Sequence, residues 1–134
     1  GKDSDKPCIG TIINLSSIAA QRTQSELMAF SVSCAALNQM TRSLAVSLAP
    51  ERVRVNAVAF GSVMSASLQD HLRQNPDHRE AILAATPQGR IAGPTEVAEA
   101  VQFLASDSSA FVTGEILTVD GGRSLVDAVS TSLH

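Results

Sequence analysis

Residues 11–34 read TIINLSSIAAQRTQSELMAFSVSC, and their pattern predicts a strand followed by a long helix. The run from Ile9 to Leu15 is almost continuously apolar and β-branched, which is typical of a strand covered on both faces in a parallel sheet. Such a strand places Ser17 at its carboxyl end. Phe30 and Cys34 follow four residues apart, and residues with that spacing share one face of a helix. We therefore predict that the side chains of Ser17, Phe30 and Cys34 face one point.

A long helix is predicted from about residue 26 to residue 49. Side chains that suit a helix core recur there at alternating spacings of four and three, which indicates a single buried stripe. The stripe comprises Phe30, Cys34, Leu37, Thr41, Leu44 and Leu48. Pro50 ends the helix, because proline lacks the N–H that a helix interior requires.

Further strands and helices follow in alternation, which is typical of an α/β fold with a parallel sheet. We predict strands at residues 53–59 and 115–119, and helices at 67–74, at 75–85 and from Pro94 onward. Residues 62–90 are polar and rich in short helices. A connection of this length between two strands is typical of a lid or a binding flap.

The composition describes one globular domain. The chain has 134 residues, of which 44% are apolar and 17% charged, and its formal net charge is −3. With no run of Lys or Arg, nucleic acid and anionic membrane surfaces are not predicted partners. No apolar run approaches the ~20 residues of a spanning helix, and we predict a cytoplasmic protein. Cys8 and Cys34 have no metal or redox spacing, so we predict free thiols and no metal site.

Three motifs in the rest of the chain carry a family resemblance. Residues 54–61 read RVNAVAFG, residues 89–98 read GRIAGPTEVA and residues 112–122 read VTGEILTVDGG. Together with Ser17 and the long helix, they resemble the short-chain dehydrogenase/reductase family, and the closing motifs are most similar to its 3-oxoacyl-carrier-protein reductase type. The resemblance implies a Rossmann-type, doubly wound parallel sheet, of which this chain supplies the last three strands and their helices. It makes residues 1–134 the carboxyl-terminal half of one domain, with residues 62–90 as an insertion that resembles a substrate lid.

The first half of that family's domain has no counterpart here. No G-x-G-x-x-G or related glycine-rich turn occurs in the sequence, and such a turn binds the pyrophosphate of a dinucleotide. The resemblance implies NAD or NADP as cofactor, but it does not imply binding by this chain alone. A lone carboxyl-terminal half would leave one sheet edge unpaired, so we predict that an ordered segment, either the missing half or another subunit, pairs with it.

The resemblance also assigns catalytic roles. In the family, hydride passes between a nicotinamide and a small carbonyl or alcohol substrate. A Tyr hydroxyl transfers the proton, a Lys holds the ribose and lowers the phenol's pKa, and a Ser polarises the carbonyl. Ser17 matches that Ser, but Phe30 stands at the Tyr position and Cys34 at the Lys position. Because a benzyl side chain has no proton to transfer, the resemblance implies impaired activity.

Residues after the second strand match the family's cofactor contacts. The resemblance places Phe60 and Gly61 at a Pro-Gly turn, with Phe in place of Pro. It places Val63 where the backbone meets the nicotinamide carboxamide, and Ser65 where a Thr often contacts the cofactor. All four are therefore candidate cofactor-binding residues.

Each candidate also has a structural interpretation. Ser17 would be a strand-end hydroxyl bound to nearby backbone. Phe30 and Cys34 would be helix core, since a small thiol packs well beside an aromatic ring. A nucleophilic Cys34 would need a nearby base, and the sequence does not place His71 or His78 near it.

Two functions are consistent with these observations. The first is an NAD(P)-dependent oxidoreductase with impaired activity. The second is a non-catalytic family member that serves as a structural or regulatory subunit of an oligomer. The alanine-rich flanks of the long helix and residues 103–119 resemble the surfaces that the family uses for dimers and tetramers, so we predict a homo-oligomer.

Overall fold

The computed structural model describes residues 5–129, which form an α/β fold. The strands are β1 (Gly10–Ser17), β2 (Val53–Phe60) and β3 (Ile116–Val119), and the α-helices are α1 (Met28–Leu48), α2 (Ala66–Gln74), α3 (Pro76–Ala85) and α4 (Pro94–Ala105). The strands pair in parallel in the order β1-β2-β3. The predicted parallel α/β fold is confirmed, and each predicted boundary lies within two residues of the observed one.

Strand β2 is the centre of the sheet, and its residues 54–59 are buried. Arg54 reaches the carboxyl end of α4, where it donates to the Leu104 carbonyl. Ala57 is in register with Asn14 of β1, whose side chain contacts α1. Because successive strand residues point to opposite faces, Arg54 and Ala57, three positions apart, belong to opposite faces. Helices α1 and α4 therefore cover opposite faces of the sheet.

The buried side of α1 differs from the predicted stripe. Cys34 and Thr41 are buried as predicted, but Asn38 and Ala45 are buried as well. Phe30 is 50% exposed, so the stripe prediction was wrong at its first position. Phe30 lies in the first turn, where α1 has run beyond the end of β1. No helix in the described range, α1 with its 21 residues included, is long and apolar enough to cross a membrane.

A polar pair joins α1 to β1. Asn14 Nδ2 donates to Thr41 Oγ1 at 3.0 Å, and the Thr41 hydroxyl donates to the Leu37 carbonyl at 2.8 Å. Buried polar groups must find hydrogen-bond partners, and Thr41 uses both its donor and its acceptor. Thr41 therefore occupies a core position without leaving its hydroxyl unpaired.

Strand β1 lies at an edge of the sheet in the described range. Ile12 and Leu15 are 40% and 58% exposed. The predicted covering of both faces was wrong for these two side chains, because an edge strand has a neighbour on one side only. An ordered segment that pairs with β1 stays a prediction.

Arg54 ties the end of α4 to the segment that leads into β3. Only 7% exposed, its guanidinium donates to the carbonyls of Leu104 and Ser106 at 3.0 and 3.2 Å. It also donates to Ser109 Oγ and the Val112 carbonyl at 3.1 and 3.2 Å. The last carbonyls of a helix have no intrahelical partner and carry partial negative charge, so a cation is stabilised there.

Candidate functional site

A cleft of about 690 Å³ opens at the carboxyl ends of β1 and β2. Ser17, the last residue of β1, lines it together with Gly61 and Ser62, which follow β2. Phe30, in the first turn of α1, lines it as well. Ligands of open α/β sheets bind outside the carboxyl ends of the strands. This cavity, here named the Ser17 cleft, is the candidate functional site.

The Ser17 hydroxyl already accepts one hydrogen bond. Its Oγ takes the Ala19 N–H at 3.1 Å and caps the short 3-10 turn at Ile18–Ala20. Ser17 thus makes the hydrogen bond to nearby backbone that its structural interpretation predicts. Its hydroxyl hydrogen is left for a ligand, because a hydroxyl both accepts and donates. Ser17 can therefore present a donor to a carbonyl oxygen in the cleft.

Phe30 and Cys34 have different surroundings. Phe30 lines the Ser17 cleft, whereas Cys34 is 7% exposed and is absent from the lining. Four residues separate them by about 6 Å along the helix axis, and only the earlier residue reaches the cleft. Cys34 is a free thiol, as is Cys8, and both agree with the prediction. The structure brings Ser17 and Phe30 together and leaves Cys34 outside.

Phe60 and Gly61 stand where the chain leaves the sheet. Phe60 ends β2 in register with Ser17 of β1. Gly61 lines the Ser17 cleft, and a Cβ added there would lie 3.2 Å from Asp120 Cβ and 3.5 Å from Ile18 Cδ1. Glycine at this position therefore lets two neighbouring segments pack closely at the floor of the site.

Val63 and Ser65 lie in the loop that follows. Val63 forms an isolated parallel bridge with Ala92. Ser65 Oγ accepts the Leu68 N–H at 3.1 Å, which makes Ser65 the N-cap of α2. Neither is among the lining residues of the Ser17 cleft, so the contribution of this loop that reaches the cleft is Gly61 and Ser62.

Helices α2 and α3 contribute to the wall of the Ser17 cleft. Their apolar contribution is Leu68, Ala81 and Ile82. His71 of α2 and His78 of α3 also line it, with His71 Nε2 2.7 Å from His78 Nδ1. In such a contact one ring nitrogen donates and the other accepts. Within residues 5–129, no three His, Cys, Asp or Glu side chains are grouped to hold a metal ion.

The Ser17 cleft also contains charged side chains that the sequence patterns did not identify. They are Arg22, Glu26 and Arg123. Arg123 is half-buried, and its Nη1 donates to Ser62 Oγ at 2.9 Å. Arg22 and Arg123 come from opposite ends of the described chain, and no spacing rule could have paired them.

A larger cleft of about 910 Å³ lies beside β3 and is lined mostly by residues 86–92 and 118–125. Ser62 lines both clefts, so the two adjoin. The larger cleft contains neither Ser17 nor Phe30. Chemistry rather than size therefore selects the Ser17 cleft as the candidate site.

The Gly121–Gly122 turn shapes the larger cleft. Gly121 and Gly122 have φ of +63° and +91°, values that favour glycine. The Gln88 N–H donates to the Gly121 carbonyl at 3.1 Å, and a Cβ on Gly121 would lie 2.9 Å from Thr86 Cγ2. Residues 86–88 therefore approach this turn closely.

Asp120 holds that turn in place. Its carboxylate accepts the Gly122 N–H at 2.9 Å and the Ser124 N–H at 2.8 Å. Partial burial acts to raise the pKa of Asp120, but the hydrogen bonds from Ser124 and Gly122 outweigh it and leave the pKa below its ordinary value. Its carboxylate is thus committed to the backbone.

An ion pair lies at the other side of the larger cleft. Arg90 donates to both carboxylate oxygens of Glu96 at 2.8 and 2.6 Å. The Gly93 N–H donates to Glu96 Oε2 at 2.8 Å, at the amino end of α4. The hydrogen bond from Arg90, aided by that from Gly93, lowers the pKa of Glu96 to about 2. Glu96 therefore stays ionised at neutral pH.

The chain is similar to known oxidoreductases in sequence and in structure. Residues 4–124 match the model of a protein family described as enoyl-(acyl carrier protein) reductase. A cis-4-hydroxycyclohexanecarboxylate dehydrogenase from Sinomonas cyclohexanicum is 43% identical over 120 residues, which are 87% of this chain and 46% of that protein.

Two solved structures superpose on the fold. A 3-oxoacyl-[acyl-carrier protein] reductase from Brucella melitensis is 30% identical with a TM-score of 0.80, over 87% of this chain and 42% of that one. ElxO with NADP bound is 27% identical with a TM-score of 0.80, over 91% of this chain and 49% of that one. This chain thus spans about half the length of the relatives it matches.

Proposed function

The chain belongs to the short-chain dehydrogenase/reductase family, and we propose that it is the carboxyl-terminal half of an NAD(P)-dependent oxidoreductase domain acting on a small carbonyl or alcohol. The observation that carries the proposal is that Ser17 and Phe30 line one cleft at the carboxyl ends of the strands. These are the positions that match the family's Ser and Tyr. The activity is weak as the chain stands, because Phe30 has no hydroxyl.

The residues around the Ser17 cleft fit the nicotinamide end of a dinucleotide. Gly61 and Ser62 line the cleft without large side chains. Ser65, which follows them outside the lining, caps α2 as an acceptor and keeps its hydroxyl hydrogen for donation. When bound, the dinucleotide supplies or takes up the hydride. No glycine-rich turn for its pyrophosphate occurs in this sequence, so we assign that part of the binding to another segment.

Of the two remaining catalytic contributions, the residues of this chain supply one and lack the other. Ser17 donates its hydroxyl hydrogen to the substrate oxygen, and one such donor contributes about 10²–10³-fold to a rate. Proton transfer by a general acid contributes about 10²–10⁴-fold, and Phe30 cannot provide it. A site with the first contribution and without the second supports slow turnover.

Residues 62–90 serve as the lid of this site in our proposal. Two observations support it: Leu68, His71, His78 and Ile82 all line the Ser17 cleft, and α2 and α3 lie in the connection between β2 and α4. A closed lid excludes water and strengthens the polar contacts to a substrate.

A second candidate function is that of a non-catalytic subunit, and Cys34 favours it. Cys34 is buried outside the cleft and cannot supply the cation that the family's Lys provides. Exposed apolar side chains on α1 support assembly with a second copy: Met28, Val32 and Val46 are 78%, 62% and 78% exposed. In this role the protein associates with other subunits and does not catalyse a reaction.

Restoring the phenol tests which function applies. In the full-length protein, NADH and NADPH binding is measured by fluorescence titration, and carbonyl reduction is followed with Phe30→Tyr and with the Phe30→Tyr, Cys34→Lys double variant. We expect dinucleotide binding, slow turnover in the unaltered protein, and an increase of about 10²–10⁴-fold when the phenol is present.

Phe103→Tyr is the matched control for this experiment. It adds the same hydroxyl on α4, where Phe103 is 44% exposed and outside the Ser17 cleft, so turnover should not change. If the unaltered protein turns over as fast as the Phe30→Tyr variant, the proposal of an impaired active site is contradicted. Failure to bind either dinucleotide contradicts the oxidoreductase and leaves the non-catalytic subunit.

A further inference from the structure

The net charge of the side chains that line the Ser17 cleft is opposite in sign to the net charge of the whole chain. The chain carries 10 Lys and Arg against 13 Asp and Glu. The cleft is lined by Arg22 and Arg123 with Glu26 as its single lining carboxylate, and by His71 and His78. The excess of negative charge elsewhere is thus reversed inside the candidate site.

The two arginines are available to a ligand. Within residues 5–129, Arg73 pairs with Asp70 and Arg90 with Glu96, whereas neither cleft arginine forms an ion pair. Arg123 uses one N–H for Ser62 Oγ, and a guanidinium has five donors.

Arg123 is also held in position. Its hydrogen bond to Ser62 at 2.9 Å anchors the guanidinium to the loop after β2, at the floor of the cleft. The Asp120 carboxylate accepts the N–H groups of Gly122 and Ser124. Among the described residues it forms no ion pair with Arg123. A half-buried, anchored guanidinium is suited to binding a carboxylate with two parallel hydrogen bonds.

Much of the remaining lining is apolar, although Ser17, Gln24 and Ser62 also belong to it. The apolar part is contributed chiefly by Ile18, Leu27, Phe30, Leu68 and Ile82. Apolar walls lower the local dielectric constant, which strengthens attraction between a cation and an anion. A ligand that matches this lining has a carbon skeleton and one negatively charged group.

We propose that the Ser17 cleft selects substrates that carry a carboxylate, with Arg123 as the residue that binds it and Arg22 as a second source of positive charge. That the bound carboxylate belongs to a substrate rests on the function proposed above, whereas the anion-binding site itself rests only on the residues of the cleft. An oxyanion there could also come from the phosphates of the dinucleotide, and the experiment separates these two sources.

Benzoate and benzamide are suitable probes, because they have the same shape and differ in charge. Calorimetric titration of the full-length protein should show benzoate binding at least about tenfold more tightly than benzamide. Arg123→Gln should remove that preference and leave benzamide binding unchanged, while Arg123→Lys should keep part of it. Arg42→Gln changes the net charge equally on the exposed side of α1, outside the cleft, and should affect neither probe.

Repeating the titration with saturating NADP⁺ identifies the source of the anion. Benzoate binding that persists supports a substrate carboxylate, whereas its displacement assigns the site to the cofactor's phosphates and overturns the proposal. Equal binding of benzoate and benzamide, or equal losses with Arg123→Gln and Arg42→Gln, also overturns it. The first titration needs no dinucleotide, so failure of the oxidoreductase function is recognised separately, by the absence of NADH and NADPH binding.

Discussion

Replacing Gly121 with alanine tests how residues 86–88 are held against the end of β3. A Cβ at this position would lie 2.9 Å from Thr86 Cγ2, and the backbone φ is +63°. The left-handed backbone costs a non-glycine residue about 1–2 kcal/mol, and overpacking adds about 1–3 kcal/mol. Thr86 cannot freely turn its methyl aside, because it is 7% exposed and its hydroxyl donates to the Ile82 carbonyl at 2.7 Å. We expect Gly121→Ala to lower the free energy of unfolding by about 2–5 kcal/mol.

Gly89→Ala separates strain from overlap. Gly89 also has a positive φ, of +69°, but no atom lies within 4 Å of the Cβ that would be added. It should therefore lose only the backbone contribution, about 1–2 kcal/mol. Urea unfolding of the full-length protein, followed by circular dichroism, gives both values from the shift of the midpoint at unchanged slope.

A double-mutant cycle gives the decisive result. Thr86→Ser removes the methyl group that meets the new Cβ and keeps the hydroxyl bound to Ile82. In the Gly121→Ala background it should restore about 1 kcal/mol or more, because residues in contact do not act additively. If Gly121→Ala is no more destabilising than Gly89→Ala, or if Thr86→Ser shows no coupling to it, the close approach does not hold these segments together.

Three further outcomes are expected. The Glu96 carboxyl should titrate near pH 2 by NMR. Its contribution to the free energy of unfolding is present above its ordinary pKa of 4.5 and is lost as the pH falls towards 2. Arg90→Gln should return the pKa of Glu96 towards 4.5. Arg54→Met leaves buried carbonyls at the end of α4 unpaired, which should lower the free energy of unfolding by about 3 kcal/mol in denaturant titrations, and a neutral result would contradict it. Ser65→Ala removes the N-cap of α2 and should cost about 1 kcal/mol, whereas Ser65→Asp should not.

Individual elements were predictable because their signals are local. The β-branched run from Ile9 to Leu15 predicted β1, and Pro94 marked the start of α4. Each of these effects acts within a few residues of backbone, so no knowledge of distant contacts was needed. Burial was harder to predict, since Asn38 is buried and Phe30 is half exposed although both lie on α1.

The order of strands and helices, the parallel sheet and the lack of a tyrosine hydroxyl anywhere in the chain all follow from the amino-acid sequence alone. The folded chain was needed to show that Phe30 shares a cleft with Ser17 while Cys34 does not, and that Arg22 and Arg123 line that cleft together. The physical reason is that periodicity fixes which residues share a face of one element, whereas a site is formed where several elements end. How far each helix extends past the sheet depends on packing between segments that are distant in the chain.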